Sequence, residues 1–200
     1  ENNIPVLDGL NNREKIAAIH KLVSNYFSWD GKYTLNIGKS FKELVESKTG
    51  NGAEINMFLT SLMLAADLDA SPALSSTKNH GIPGRDYPVI NQYNHILCHV
   101  KMFEDDILFD ATDPFRTSDL LGTDMLNPNV FVVNIKSPRL IDPKQTVFSK
   151  INTTVIVDTI ADDYLGLQTL LSASGYTAID FRKKIQMSDK PDKVMNEALF

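Results

Sequence analysis

A histidine and an aspartate, His95 and Asp110, lie on consecutive segments in which apolar and polar residues alternate. An imidazole that is oriented by a carboxylate is a common general base for a thiol or hydroxyl nucleophile. Such a nucleophile is favoured in the first turn of a helix, because the unpaired backbone N–H groups there stabilise negative charge. A glycine-rich turn leads into a predicted helix in this chain, but the residues at its start, Asn51, Gly52 and Ala53, carry neither a thiol nor a hydroxyl.

The helix behind this turn is predicted to run from about 53 to 68. Its apolar residues cover nearly its whole circumference, and they are Ile55, Met57, Phe58, Leu59, Leu62, Met63 and Leu64. A helix that is apolar all round belongs inside a domain. We therefore expect it to be the most buried element and to pack against an antiparallel sheet.

Two strands of that sheet are predicted to carry the histidine and the aspartate. In the first, from 95 to 103, one face is apolar and the other, which begins with His95, is more polar. Cys98 lies on the apolar face, so the only thiol in the chain points away from His95. The Asp-Asp pair at 105–106 is predicted to form a hairpin turn into the second strand, from 107 to 112.

The remaining elements of the first half are predicted from caps and turn residues. A first helix is capped by Asn11 or Asn12, and a short helix over 40–47 begins with a capping box. A short strand is expected within 72–77, followed by a long polar loop over 78–94. A loop of that length in a compact domain is often a binding loop.

This order of elements resembles the transglutaminase-like superfamily, whose core is a papain-like α+β fold. The segment GNGAE, at 50–54, is similar to the family's Gly-x-Cys-x-Asp/Glu at the start of its helix. NHIL, at 94–97, is similar to the segment around the family's histidine, and DATDP, at 110–114, is similar to its Asp-x-Thr. The resemblance extends from the first helix to about residue 115, and it implies a papain/transglutaminase-like core with a buried central helix against an antiparallel sheet.

The resemblance also implies that Gly52, His95 and Asp110 are the remnant positions of a catalytic triad. In the family a cysteine is the nucleophile, the histidine is its base, and the aspartate orients the histidine. Bacterial members are known in which the cysteine is replaced and further β-rich domains flank the core. The implied protein is a pseudoenzyme, a binding or scaffolding module of a larger envelope-associated protein that is periplasmic or secreted. Its partner would be a peptide, a protein or a cell-envelope ligand.

Two other functions stay open on the sequence. An active acyl-transfer or amide-hydrolysing enzyme of the same fold would need an unrecognised nucleophile, for which Ser75 or Ser76 is the hydroxyl candidate. Cys98 is interpreted as a small buried apolar residue, as free cysteines usually are. The second alternative is a purely structural spacer between β-rich domains. In either non-catalytic reading, His95 and Asp110 can form a plain structural pair.

Four residues beside the triad positions are candidate ligand contacts: Asn51, Trp29, Tyr93 and Asn94. Asn51 borders the start of the central helix, and the other two polar candidates lead into the strand of His95. Trp29 follows the first helix in a polar turn, where it is either a core residue or an aromatic wall of the cleft.

Composition and spacing exclude several other classes. The net charge of −5 argues against nucleic acid as a partner, because phosphate binding relies on clustered Lys and Arg. The longest apolar stretch, 57–66, is shorter than the roughly 20 residues that a membrane helix needs. His95 and His99 have i, i+4 spacing, but on a strand that separates them by about 13 Å, so they cannot share a metal. No zinc spacing is present, and no cofactor is expected.

The chain is predicted to contain a core over 1–135 and a β-rich C-terminal segment over 136–200. The segment 137–145 is interpreted as a linker, and two strands with a turn at 162–163 follow it. The segment 175–185 resembles the start of the β-rich domain that follows the core in the similar bacterial proteins. The last residues, from 188, are predicted to begin a helix. We therefore expect flanking domains in the same chain.

Overall fold

The computed structural model describes residues 7–87, 89–144 and 148–188, and the chain divides into two compact units, Glu1–Gln145 and Thr146–Phe200. The helices of the first unit are α1 (Asn12–Tyr26), α2 (Phe41–Ser47) and α3 (Gly52–Ala65). Its strands are β1 (Ser28–Trp29), β2 (Thr49–Gly50), β3 (Ala70–Ser75), β4 (His95–Met102), β5 (Asp105–Phe109), β6 (Val130–Val132) and β7 (Arg139–Ile141).

The main sheet of this unit is antiparallel and five-stranded, in the order β5-β4-β3-β6-β7. It is curled, and the unit combines helices with sheet, so the predicted α+β class is confirmed. The two short strands β1 and β2 form a separate parallel pair beside the start of α3. That pair ties the chain just before the central helix to the segment that follows α1.

A capping box starts α3. The Asn51 side chain accepts a hydrogen bond from the Glu54 amide at 2.9 Å, and the Glu54 carboxylate accepts one from the Asn51 amide at 2.9 Å. The other oxygen of Glu54, which is buried, accepts from the amides of Gly38 and Lys39. Because these bonds satisfy backbone groups that a helix start leaves unpaired, α3 begins at Gly52.

The inner side of α3 packs against the apolar face of β4 and against α1. The buried residues at this contact include Ile55, Leu59 and Met63 from α3 and Cys98 and Val100 from β4. The expected packing of the helix on the sheet is thus present. The helix is not buried all round, however: Leu64 is 52% exposed, and an apolar groove between α1, α2 and α3 leaves Phe58 and Leu62 only partly covered.

A second core lies inside the curl of the sheet. Its buried members are Ala73, Leu97, Leu108, Leu121, Met125, Val130 and Val132. Leu97 alternates along β4 with Cys98, which belongs to the first core. His95 and His99 have the parity of Leu97, so they lie on the face of β4 opposite Cys98, as the alternation predicts.

The structure corrects the position of the β4–β5 turn. Met102 pairs with Asp105, so the turn is at 103–104, and the pair at 105–106 belongs to β5. Phe103 takes the left-handed conformation, with φ of 52°, which a bulky residue rarely adopts. The strand ends at Phe109, and Asp110 therefore lies immediately beyond it rather than within it.

The predicted linker at 137–145 contains a strand. Arg139–Ile141 forms β7 and pairs with β6, so the first unit continues to Gln145 instead of ending at 135. Three residues are too few to show an alternating pattern, and Pro138 and Pro143 on either side are typical of a loop. These features explain why the sequence alone indicated a linker.

The second unit contains a hairpin of β8 (Lys150–Ile160) and β9 (Leu165–Ser174), followed by α4 (Tyr176–Met187). The two strands and the turn between them are as predicted, but α4 is a helix where a β-rich segment was expected. Gly175, with φ of 64°, separates β9 from the helix, whose residues Ala178 and Ile179 are buried. The helix predicted from 188 lies outside the described residues. Within the described ranges, none of the helices has the length and apolar character needed to cross a membrane.

Candidate functional site

The three triad positions meet at the N-terminus of α3. Gly52 is the first residue of the helix, and a Cβ placed on it would lie 2.6 Å from Nδ1 of His95 and closer still to Cε1. On the other side of the ring, Nε2 lies 3.7 Å from Oδ1 of Asp110. The ring thus has one nitrogen toward the helix start and the other toward the carboxylate.

The His95 ring is enclosed on all sides. Its exposure is 0%, and the ring of Tyr33 packs against it edge to face at 5.0 Å. Nδ1 has no hydrogen-bond partner among the described residues, while the Asn56 amide nitrogen lies 3.4 Å from Nε2. The ring therefore fills the space into which any side chain on residue 52 would project.

The Asp110 carboxylate is fully buried and is surrounded by donors. Oδ1 accepts from the Asn56 amide at 2.9 Å and from the Thr112 backbone at 3.2 Å. Oδ2 accepts from the Thr112 hydroxyl at 3.0 Å and from Nη1 of Arg116 at 2.8 Å. Burial alone would raise the pKa of Asp110, but its interactions with His95, Arg116 and Asn56 outweigh burial and hold that pKa well below its usual range.

Arg116 shares the negative charge of Asp110 with the histidine. Its guanidinium also lies 3.3 Å from Oδ2 of Asp113, and its side chain is only 12% exposed. Burial would lower the pKa of Arg116, but the two aspartates reverse that effect and raise it. The 3.7 Å between Nε2 of His95 and Oδ1 of Asp110 exceeds hydrogen-bond length, so the positively charged group that bonds directly to the carboxylate is the guanidinium.

Asn56 ties the central helix to both strands. Its side chain donates to the carbonyl of Ile96 and to Asp110, each at 2.9 Å, and accepts from the amide of Ala111 at 2.9 Å. It lies one turn after Gly52, on the same side of α3. The sequence carried a signal for it, because a lone amide inside an apolar helix needs buried partners.

His20 holds the backbone at Asp110. The imidazole is buried within the unit, and its Nε2 donates to the Asp110 carbonyl at 2.9 Å. Burial lowers the pKa of His20, which keeps the ring neutral. Sequence reasoning missed this contact and that of Arg116, since neither residue belongs to a local motif with Asp110.

An aromatic wall lies beside the ring of His95. Trp29 is half-buried and stacks at 4.7 Å on Tyr33, which in turn contacts His95. The Lys32 carbonyl accepts from the Trp29 indole and also from the Gly52 amide, each at 3.1 Å. The Tyr33 hydroxyl donates to Asp124 at 2.6 Å. Burial, together with that carboxylate, raises the pKa of Tyr33.

The other candidate ligand contacts are engaged within the protein. Asn51 caps α3, and its amide also donates to the Asn36 carbonyl at 3.0 Å. Both ends of the Asn94 amide bind Thr77 at 2.9 Å. Tyr93 is buried, and its hydroxyl lies 3.3 Å from a backbone carbonyl. Trp29 is the candidate with a ring that is half-accessible, and ligand binding by all four stays a prediction.

The alternative nucleophiles lie in different surroundings. Cys98 is buried in the first core, and burial raises its pKa to about 12. Ser76 donates to the Gly81 carbonyl at 2.6 Å. Ser75 is the cross-strand partner of His95, is fully buried, and has no hydrogen-bond partner for its hydroxyl among the described residues. The described parts of the chain contain no group of three side chains that would hold a metal.

Comparisons with known proteins give one distant structural likeness. No protein-family model matches the chain, and no curated protein matches it. Among solved structures it is similar to the crystal structure of a putative protease from Parabacteroides distasonis, a protein of the transglutaminase-like family. The identity is 13% and the TM-score is 0.48, over 78% of this chain and 32% of the other, so this chain spans about a third of that protein's length. A likeness at this level is distant and says nothing about activity.

Proposed function

We propose that this protein contains a catalytically inactive module with a papain/transglutaminase-like core, which binds or scaffolds within a larger bacterial envelope protein, periplasmic or secreted. The observation that supports inactivity is the position of the His95 ring. A covalent mechanism needs a nucleophile between the helix start and the base. Here the base itself occupies that space against Gly52, and its exposure is 0%.

The electrostatics beside the ring support the same proposal. A triad aspartate acts by holding the imidazole in one tautomer through a hydrogen bond. The Asp110 carboxylate instead accepts its direct hydrogen bonds from Arg116, Asn56 and Thr112. The buried network that a catalytic site would use for orientation therefore serves here to join α3 to the strands.

The loop over 78–94 supports a binding role. It exposes large apolar side chains, and they are Ile82, Tyr87, Val89 and Ile90. Its backbone is nevertheless held in place, because Asn129 donates to the Pro83 carbonyl at 2.8 Å and Asn127 to the Gly81 carbonyl at 3.0 Å. Apolar groups on a loop fixed by hydrogen bonds suit a peptide or protein partner.

The test rebuilds the missing nucleophile. The unmodified protein should not incorporate an amine into a glutamine peptide or casein. In Gly52→Cys the His95 ring has to turn aside, and the new thiol should then have a lowered pKa at the helix N-terminus. Iodoacetamide should label it much faster than Cys98, because burial raises the pKa of the Cys98 thiol and shields it from the reagent.

Two outcomes would count against the proposal. Brisk amine incorporation by the unmodified protein that Cys98→Ala abolishes would identify a working thiol. Equal labelling of the two thiols in Gly52→Cys would show that residue 52 is not beside a base. A matched control is Gly38→Cys, in which the thiol lies near Glu54 and has no histidine beside it.

One observation favours the active alternative. Ser75 pairs directly with His95 across β3 and β4, and both its hydroxyl and Nδ1 of His95 lack a partner among the described residues. A serine enzyme would react with a fluorophosphonate probe and lose that labelling in Ser75→Ala. We expect no labelling, because both side chains are fully buried. Labelling that Ser75→Ala removes would establish an active serine hydrolase.

A further inference from the structure

A second histidine–aspartate pair joins the two edges of the curled sheet. Nε2 of His99, on β4, lies 2.7 Å from Oδ1 of Asp106 on the edge strand β5. Arg139, on the opposite edge strand β7, makes an ion pair with the same Asp106 oxygen, and its guanidinium lies 3.4 Å from His99. This cluster of His99, Asp106 and Arg139 exists because the curl brings β7 round to β5.

The hydrogen bonds around His99 fit a neutral ring. The Asp106 carboxylate only accepts, so the proton of the ring is on Nε2. Nδ1 is then an acceptor, and it has no hydrogen-bond partner among the described residues. The His99 side chain is only 1% exposed. Protonation would place an N–H group there without an acceptor, which costs free energy in a buried position.

Charged groups from several elements of the first unit surround His99. The groups that face it are Asp106 from β5, Arg139 from β7, Lys101 from β4 itself, 3.8 Å from Asp106, and Asp69 from the chain before β3. Asp106 and Asp69 favour protonation of the ring, and Arg139 opposes it. Burial, which outweighs the attraction of Asp106, lowers the pKa of His99.

We infer that the cluster of His99, Asp106 and Arg139 is an acid-sensitive latch that holds β7 on the curled sheet and releases it when the pH falls. Only three residues of β7 pair with β6, so the strand has few other bonds to keep it in place. Once β7 detaches, His99 gains access to water and takes up a proton. Release also uncovers the second core, against which Ile141 of β7 packs. The latch is independent of the proposed binding role.

Hydrogen exchange on the whole chain tests the latch. Protection factors are measured between pH 7.5 and 5.0 for the β7 amides and, in the same samples, for those of β3 and β4. An unperturbed histidine titrates near pH 6.5, so an opening that binds one proton becomes favoured by up to about tenfold per pH unit below that value. We expect the opening constant of β7 to rise in this way and to exceed that of β3 and β4 throughout.

Matched variants assign the effect. His99→Gln keeps a donor toward Asp106 but cannot titrate, so the protection of β7 should no longer depend on pH. His80→Gln makes the same change at an exposed histidine and should leave the slope of the unmodified protein. The inference is overturned if His99→Gln retains that slope. If His99→Gln fails to fold, the unmodified protein alone still tests the inference. Protection of the β7 amides that is constant with pH, or that equals the protection of β3 and β4, also overturns the inference.

Discussion

Replacing Gly52 by alanine tests whether the His95 ring fills the nucleophile position. The added methyl carbon would lie 2.6 Å from Nδ1, far inside van der Waals contact, and the enclosed ring has to move. Inserting a methyl group into a packed interior costs about 1–3 kcal/mol. Alanine gains up to about 1 kcal/mol over glycine in helix propensity, and less at the first position of a helix. We therefore expect Gly52→Ala to destabilise the first unit by about 1–2 kcal/mol.

Urea unfolding followed by tryptophan fluorescence measures this loss at the site itself. Trp29 is the only tryptophan, and it stacks on Tyr33, the ring that packs against His95. With a slope of about 2 kcal/mol per molar, in the middle of the range that is usual for urea, the midpoint should fall by roughly 0.5–1 M. Gly38→Ala is the control, because its added carbon would meet Glu54 at an ordinary 3.5 Å, and it should change stability by less than about 0.5 kcal/mol.

A double-mutant cycle identifies the ring as the cause. In a His95→Ala background the space beside residue 52 is open, so Gly52→Ala should there cost nothing, and the coupling between the two sites should equal the loss seen in the unmodified protein. If Gly52→Ala alone leaves the stability of the protein unchanged while His95 is present, the reasoning is refuted. The same loss in both backgrounds would refute it too.

Three further predictions concern the residues that hold Asp110. Asn56→Ala removes three buried hydrogen bonds, to the Ile96 carbonyl, the Asp110 carboxylate and the Ala111 amide, so calorimetry should show a stability loss of about 2–4 kcal/mol, whereas Thr60→Ala, one turn further along α3, should cost less. Arg116→Met should lower the free energy of unfolding in urea by about 3–5 kcal/mol, because the buried Asp110 carboxylate loses its cation. Combining Arg116→Met with Asp110→Asn should recover part of that stability. A double variant with no recovery would contradict the pairing of the two residues. His20 has a lowered pKa in the folded unit, so its contribution to stability is complete above about pH 6.5 and declines as the pH falls below it, because only the unfolded chain then takes up the proton. His20→Gln should reduce that decline, and the part that remains includes the contribution of His99, whose pKa is lowered as well.

The sequence was sufficient to predict the elements that carry the triad positions. The glycine-rich turn and the apolar run behind it predicted α3, and the alternation along β4 placed His95 and Cys98 on opposite faces. These element predictions succeeded because each rests on periodicity or on interactions between near neighbours in the chain. That Gly52, His95 and Asp110 lie together was implied by the resemblance of their segments to the family's motifs, and not by the pattern of elements.

The partners of those residues could not be predicted in the same way. His20 reaches Asp110 from α1, and Arg139 reaches Asp106 only because the sheet curls. Neither contact leaves a local pattern, since both depend on how distant elements pack. The β4–β5 turn was misplaced for a different reason, because the left-handed residue in it is Phe103, a type that turn preferences do not favour.

The closed packing of His95 on Gly52 bears on how such a domain could evolve. If the proposed function holds, the nucleophile at residue 52 was lost first, and the His95 ring then came to occupy its space. A reverse substitution at residue 52 would first meet that ring and lose about 1–3 kcal/mol, a large part of the roughly 5–15 kcal/mol that keeps a domain folded. A permissive change, such as a smaller residue at Tyr33 that lets the ring turn aside, would reduce this loss. If the proposed function holds, descendants of this domain are therefore expected to diversify their binding surfaces sooner than they regain catalysis.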